Sequence, residues 1–558
     1  MNIEQYGKWT REEVKEHLEI IYKDETHINN VVIQSKQLLL GMLLKLPTEI
    51  MSNLKKVDSI LDWGCGVGSG TRTIGRFLNT KVSGLDISEN AIKKAKELYP
   101  KYKFTSKTLN EKYDVIINSN CLEHFTNPSK VFESHLKYCN KYYIILAPYK
   151  GRIVDEISDH MATLDENTFP KETEDFKRIY FDKFVIFPGW KSDEKQMLMI
   201  YERKDKTRKQ RVGFLSYWGF PRGQSYVTKC YAKMLKDTYD IFILKQGDNI
   251  ISDEFKVDYI HITEYPKYIV NSNDFKEWIL KNKIDIIVFN EYKQWTNEPE
   301  NLVQIAKNLG VKTLGYLVWE KFKRYEDYDR LLAPTRSYES FFRSKKIRNF
   351  SYVPYSIDFT EFPKKEKQKN DKFTFFHPGG FGGFLDRKNT MLVIEAFESL
   401  PDVENAKLII TSQKPLQFSR EIHPNIEIIN KEVSRQELID LYYKADATVL
   451  PSKWETVGLP LLESLSSGTP VITMDAPPMN EFIEEGKTGF LCECDMINYT
   501  EIYIDVADTD GLELKTKMEN IMSNEMIHKL LCKNARIVAE EKYDLEKNKR
   551  YFLEMLRK

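Results

Sequence analysis

Short apolar strands alternate with helix-length amphipathic segments along nearly the whole chain, and the alternation begins afresh three times. A chain patterned in this way builds open, largely parallel sheets with helices on their faces, because each parallel crossover needs a helix. The first series follows two helical stretches, residues 11–22 and onward to Met51, and runs through strands at 59–63, 81–86, 103–105, 113–118 and 142–147. A last pair of strands, 184–187 and 196–202, predicts a closing hairpin. The second series opens at 211–215, with a glycine-containing loop and a helix over 224–235 behind it. The third restarts at 373–377 after a polar, Lys-rich stretch and continues through helix 389–400, strands 407–411 and 425–429, and helix 434–444. Closing helices at 512–523 and 525–541 precede a tail expected to pack back across the last two series.

At 558 residues the chain exceeds what one growing core supports, so several domains are expected. The predicted division is residues 1–204, a linker at 205–210 within the charged run Y-E-R-K-D-K-T-R-K-Q-R, then 211–360, and 361–558 with the closing helices. Lys plus Arg and Asp plus Glu number 83 each, so no bulk field points to a polyanionic partner and nucleic acid is disfavoured. A 41% hydrophobic share with charges of both signs interspersed excludes global disorder. Seven cysteines without a repeating spacing fit a reducing cytosol better than a disulfide framework, and no apolar signal segment follows Met1. Cys492 and Cys494 form a C-x-C pair with no second pair or His cluster beside it, which predicts packing at a strand end rather than a metal site. The most apolar run, 38–46, is broken by Lys45 and falls short of the about 18 to 20 residues of a membrane span, so a cytoplasmic protein is expected.

Residues 60–68 read I-L-D-W-G-C-G-V-G, a buried strand ending near Asp62 and then Gly64, Gly66 and Gly68 in alternate positions before a helix. Glycines there permit a tight turn and close backbone approach to a ligand beyond the strand ends. Asp86 ends the next strand, where a carboxylate can accept from both hydroxyls of a ribose, so an adenosine-type ligand is expected. Through this D-x-G-x-G-x-G turn, the strand-two acid and the segment Y-D-V-I-I-N-S-N-C-L-E-H-F, roughly residues 4–204 resemble the class I S-adenosylmethionine-dependent methyltransferases. The resemblance implies a Rossmann-like domain in which Asp62, Gly64, Gly66 and Gly68 cradle the methionine part of S-adenosylmethionine and Asp86 holds its ribose. The acid that the family places after the third strand has no counterpart in the connection 105–109, T-S-K-T-L. Methyl transfer to oxygen needs a base near the acceptor hydroxyl, and Glu123, His124 and His160 are candidates, His124 being the one carried forward as catalytic. Asn118, Ser119, Asn120 and Cys121 stand where amino-methylating DNA enzymes of similar fold carry N-P-P-Y, which again disfavours a nucleic-acid acceptor.

Residues 443–473 read Y-K-A-D-A-T-V-L-P-S-K-W-E-T-V-G-L-P-L-L-E-S-L-S-S-G-T-P-V-I-T. Glu455 and Glu463 flank seven residues, and Gly458 and Pro460 mark a helix start whose amides and dipole favour a phosphate. Glu455 is expected to precede that helix, so that one carboxylate serves sugar hydroxyls and the other ribose hydroxyls on either side of a diphosphate. This stretch resembles the E-x7-E motif of family-4 retaining glycosyltransferases with the GT-B architecture, a likeness that extends over residues 211–558. It implies that Glu455 contacts the donor sugar, Glu463 the nucleotide ribose, and the amides of Thr456, Val457 and Gly458 the diphosphate of a nucleotide sugar. Arg387 and Lys388, in H-P-G-G-F-G-G-F-L-D-R-K-N, match the family's basic pair; fixed cations stabilise the departing diphosphate, so no metal is expected. The loop Gly219 to Gly223 matches the family's glycine loop near the donor phosphates, and Glu320 is the candidate for a His that many relatives carry. V-P-Y-S-I-D, 353–358, resembles the family's hinge turn, and the D-x-D of Asp508 and Asp510 is expected to be a solvated turn.

The expected whole is an α/β chain, a methyltransferase domain followed by a GT-B transferase of two Rossmann-like subdomains. Its predicted work is hexosyl transfer to a glycan, glycolipid or glycoprotein, followed by O-methylation of the sugar product. A peripheral membrane contact stays open, and so does the alternative that the first domain is a degenerate module that only binds or positions.

Overall fold

The computed structural model describes residues 11–150, 161–186, 195–205, 207–292, 301–318, 325–367, 369–380, 386–416, 420–498 and 505–557. They form two compact units: residues 1–208 with 271–285 and 300–312, and residues 209–270 with 286–299 and 313–558.

The first unit is built on seven strands: β1 Ile60–Trp63, β2 Val82–Leu85, β3 Lys103–Thr105, β4 Tyr113–Ser119, β5 Cys139–Pro148, β6 Phe176–Val185 and β7 Lys195–Arg203. Their order is β3-β2-β1-β4-β5-β7-β6, with β7 antiparallel to both its neighbours. The predicted closing hairpin is therefore present, but β6 starts at Phe176, before the expected 184. Strands β1 and β4 read as apolar runs because both faces are covered, and Leu61, Val115, Ile116 and Ile117 are fully buried. Tyr201 to Arg203, at the head of the charged run, belong to β7. Three helices precede the sheet: Arg11–Ile21, Glu25–Lys45, which Asp24 caps through the Thr26 amide at 2.9 Å, and Thr48–Leu54.

The second unit holds two further sheets. One contains β8 Arg211–Ser216, β9 Asp240–Gln246, β10 Ile260–Tyr265, β11 Ile286–Asn290, β12 Lys312–Tyr316, β13 Arg330–Ala333 and β14 Phe350–Tyr352, ordered β10-β9-β8-β11-β12-β13-β14. The other contains β15 Phe373–Gly380, β16 Ala406–Ser412, β17 Ile426–Ile429, β18 Ala447–Leu450, β19 Val471–Met474 and β20 Gly489–Cys492, ordered β17-β16-β15-β18-β19-β20. A small antiparallel pair, β21 Asp495–Asn498 and β22 Asp505–Asp508, stands apart, and Asp510 caps the helix Gly511–Ser523. In all three large sheets the first strand lies inside, flanked by the second strand on one side and the fourth on the other. The strand order thus reverses beside β1, β8 and β15, and a crevice opens beyond their carboxyl ends.

The expected tail is the helix Leu545–Arg557, and it does pack back. Phe552 meets Tyr231 edge-on at 5.2 Å, the Tyr231 hydroxyl donates to the Val353 carbonyl at 2.9 Å, and Asn548 donates to Ser356 Oγ at 3.0 Å. Ile357 bridges Asp544. The hinge-like turn 353–358 is thereby held between the helix Gly223–Leu235 and the end of the chain. Among the described residues no helix is long and apolar enough to cross a membrane.

Two candidate active sites

The first site lies beyond β1. Gly64, Gly66 and Gly68 have φ of 80°, 52° and 81°, the left-handed region that favours glycine. The Gly64 and Cys65 amides donate to the Leu85 carbonyl at 2.8 and 3.0 Å, which closes the turn against β2. Cβ atoms at these positions would crowd their neighbours: one on Gly64 would stand 2.7 Å from Cys121 Sγ, and one on Gly68 2.6 Å from the Phe104 ring. Asp86 accepts from the Gly66 amide at 2.8 Å and the Ser88 amide at 3.0 Å, so the strand-two acid and the turn are one assembly. Burial raises the Asp86 pKa above the ordinary carboxyl range, against the pull of those two amides. Asp62 accepts from Thr71 Oγ1 at 2.7 Å, and burial pushes it up to about 6. Thr71 has no counterpart in the sequence reading, since only the fold brings its hydroxyl to the carboxylate.

Around this turn several buried polar atoms lack partners: Ser69 Oγ, both amide atoms of Asn118, Asn120 Oδ1 and both carboxylate oxygens of Glu123. Unmet groups of this kind are costly unless a ligand or water meets them, so the residues present fit a polar cofactor bearing a ribose. Glu123 and His124 share the short turn Leu122–His124 after β4; Glu123 is buried and His124 half-buried. Burial raises the Glu123 carboxyl. His160, the third candidate base, lies outside the described residues. Tyr22 also reaches the turn, its hydroxyl 3.1 Å from where a Gly66 Cβ would stand.

The second site is a cavity of about 1360 Å³ that brings together residues following β8, β15 and β18. The helix Leu459–Ser466 begins at Gly458, with φ 69°, and Glu455 precedes it as the motif predicts. Arg387 Nη1 donates to Glu455 Oε2 at 3.1 Å and Lys388 Nζ to Oε1 at 2.5 Å, so the predicted basic pair clamps one predicted carboxylate. Burial alone would raise the Glu455 carboxyl, but Arg387 and Lys388 outweigh it and hold the group at about 2. Behind them His377 links β15 to β18 through the Val449 carbonyl at 2.8 Å and reaches Thr390 Oγ1 at 3.0 Å; burial lowers its pKa to about 4, so the ring is neutral.

Thr456, Val457, Gly458, Glu463 and Gly223 all line the cavity. Gly219 is placed differently: with φ 90° it packs on Ile251, and its carbonyl accepts from the Ser252 amide at 3.1 Å. Tyr316 and Val318 line the cavity, whereas Glu320 and the loop residues 381–385 lie outside the described residues. Cys492 is buried at the end of β20, and burial pushes its thiol up to about 12. Among the described residues no group of three or more His, Cys, Asp or Glu side chains is placed to hold a metal. The sequence did not single out Arg435 or Tyr226, which line the cavity, or Glu361, which accepts from Arg435.

Residues 358–520 match the family model for glycosyl transferases group 1, and residues 37–149 match a methyltransferase domain model. The chain carries a methyltransferase domain and a group 1 glycosyltransferase domain. It is 25% identical over 202 residues to the N-acetyl-alpha-D-glucosaminyl L-malate synthase of Bacillus anthracis, covering 35% of this chain and 48% of that protein. It is 28% identical over 262 residues to the alpha-monoglucosyldiacylglycerol synthase of Streptococcus pneumoniae, covering 43% of this chain and 57% of the relative. The chain thus spans about half the length of these curated relatives. In fold it is similar to the sucrose-phosphate synthase of Thermosynechococcus elongatus, with a TM-score of 0.50 and 14% identity over 62% of this chain and 98% of that one. The architecture is a Rossmann-like methyltransferase domain followed by a GT-B transferase.

Proposed function

We propose that the protein transfers a hexosyl group from a nucleotide sugar to a glycan or glycoconjugate, with retention at the anomeric carbon, and methylates a hydroxyl of the sugar product with S-adenosylmethionine. The observation that carries the first half is the Glu455 carboxylate clamped by Arg387 and Lys388 next to the helix that begins at Gly458. In the transfer, the bond from the anomeric carbon to the diphosphate oxygen breaks and its electron pair leaves with the diphosphate. The acceptor oxygen bonds to that carbon on the same face and passes its proton to the departing diphosphate oxygen. Arg387, Lys388 and the amides from Thr456 to Gly458 meet the charge on the leaving diphosphate, fixed in place before it develops. Glu455, held ionised, accepts from sugar hydroxyls, and Glu463 from those of the ribose.

The second half rests on the glycine turn joined to Asp86 and on the unpartnered polar atoms around it. Asp86 would hold the cofactor ribose, and Asp62 and the amides of the turn its amino-acid end. Bound there, the cofactor supplies an activated methyl group. Glu123 and His124, on the turn after β4, stand as the groups to take the acceptor proton. One observation favours the second reading, a module that only binds: residues 105–109, directly after β3, offer no carboxylate, and Glu111 farther along the connection interacts with Tyr113.

A thermal-shift titration of the intact protein tests both halves. Nucleoside diphosphates, their sugar derivatives and S-adenosylmethionine are the ligands, and each that binds only the folded state raises the melting point, by about 2.7 kcal/mol of stability at a hundred times Kd. One nucleotide series and the cofactor are each expected to do so. No shift with any nucleotide overturns the transferase reading, and a nucleotide shift without a cofactor shift favours the binding module.

A further inference from the structure

The carboxylate assigned to the nucleotide ribose is held by a buried guanidinium. Arg435 opens the helix Arg435–Lys444, whose start is fixed by a capping box: the Glu437 amide donates to Ser434 Oγ, and the Glu437 carboxylate accepts from the Ser434 amide. From there Arg435 Nη1 donates to Glu463 Oε1 at 2.5 Å, while Nη2 and Nε both donate to Glu361 Oε2, at 3.1 and 3.2 Å. Its guanidinium carbon lies 4.7 Å from the centre of the Tyr226 ring, a cation–π contact. Glu361 in turn accepts from Lys229 Nζ at 2.8 Å. The Arg435 and Glu463 side chains are only 10% and 4% exposed. Lys229 and Tyr226 belong to the helix that follows β8, Glu361 to the segment between β14 and β15, and Arg435 and Glu463 to the helices Arg435–Lys444 and Leu459–Ser466.

A bare carboxylate lining a cavity can rotate. Pinned through one oxygen by a charge-assisted bond, it presents the other in a single direction. A planar fork that also engages Glu361 and stacks on Tyr226 has little freedom left, so its hold on Glu463 is preorganised. We infer that Arg435, itself fixed by Glu361 and Tyr226, is the positioning residue that aims Glu463 at the ribose and gives the donor site its preference for ribonucleotides over 2′-deoxynucleotides. This rests on the donor-site reading above and adds a residue that the E-x7-E motif does not contain.

The test compares uridine, adenosine and guanosine diphosphates with their 2′-deoxy counterparts by calorimetry on the full chain. A site whose acceptor is aimed at a sugar hydroxyl is expected to favour the ribo form by tenfold or more, since it loses that bond with the deoxy form. In Arg435→Gln the preference is expected to fall to about threefold or less, as it does in Glu463→Gln, while Arg435→Lys restores part of it. A merely structural role would lower the melting point and leave the ratio unchanged. Should Arg435→Gln fail to fold, Arg435→Lys and Glu361→Gln decide: a ratio lowered in both supports the inference, and a wild-type ratio in both overturns it. A folded Arg435→Gln that keeps the wild-type ratio overturns the inference alone. A wild-type protein that binds no nucleoside diphosphate overturns the donor-site reading and the inference with it.

Discussion

Two carboxylates, one in each site, are driven in opposite directions by their surroundings. Asp62 is buried against the hydroxyl and backbone of Thr71, and burial raises it from 3.8 to about 6. Its folded pKa exceeds its unfolded one, so its contribution to stability is complete below about 3.8 and is lost as the pH rises through about 6. Glu455 is also buried, but two cations lower it from 4.5 to about 2. Its contribution is complete above about 4.5 and is lost as the pH falls towards 2. Melting temperature measured against pH should therefore lose part of its fall between pH 4 and 6 in Asp62→Asn, and part of its acid limb below pH 4.5 in Glu455→Gln. Glu455→Gln should also lower stability near neutral pH by about 3 kcal/mol, because Arg387 and Lys388 are left facing a neutral amide. Unchanged slopes in both variants would mean that neither carboxyl titrates as its contacts require.

Between residue and sheet, the strand–turn–helix unit after β1 makes the sharpest demand on sequence. Gly68 caps the helix Ser69–Leu78 with φ 81°, and a Cβ there would stand 2.6 Å from the Phe104 ring and 3.1 Å from Ala95 Cβ. Gly68→Ala is expected to cost about 2 to 4 kcal/mol, left-handed strain plus overpacking. Gly486 offers the comparison: its φ is 68°, but a Cβ would meet nothing within 4 Å, so Gly486→Ala should cost only about 1 kcal/mol. Chemical denaturation of the two variants measures the difference, and equal losses would show that Phe104 yields to the added methyl. This unit was legible in the sequence because a glycine at alternate positions after an apolar strand has one local meaning. So were the short helix at Gly458 and the carboxylate before it. The start of β6 at Phe176 was not, since its first half mixes Lys and Arg with aromatic residues and loses the alternation a strand displays. Nor was the chain Lys229–Glu361–Arg435–Glu463, whose partners lie 28 to 132 residues apart and which nothing in the local pattern predicts.

At the scale of the whole molecule, each of the two compact units carries one of the sites, and the formal charge of zero supplies no general attraction for either substrate. Under the proposed function the two reactions are coupled through the product, a sugar placed by one site being the methyl acceptor of the other. Two variants separate the steps. Asp86→Asn removes the ribose carboxylate of the first site and should abolish methyl transfer while leaving sugar transfer near its normal rate. Arg387→Ala removes a fixed cation from the leaving diphosphate and should slow sugar transfer by about a hundredfold or more. If methylation follows glycosylation, Arg387→Ala given acceptor, nucleotide sugar and labelled S-adenosylmethionine should incorporate little label. Given instead the glycosylated product made by Asp86→Asn, it should incorporate label at the wild-type rate, because its methyl site is untouched. Label entering the unglycosylated acceptor as fast with Arg387→Ala as with the wild type would place the methyl group elsewhere and dissolve the sequence of reactions. The crossed supply of product makes the result independent of how well either variant turns over on its own.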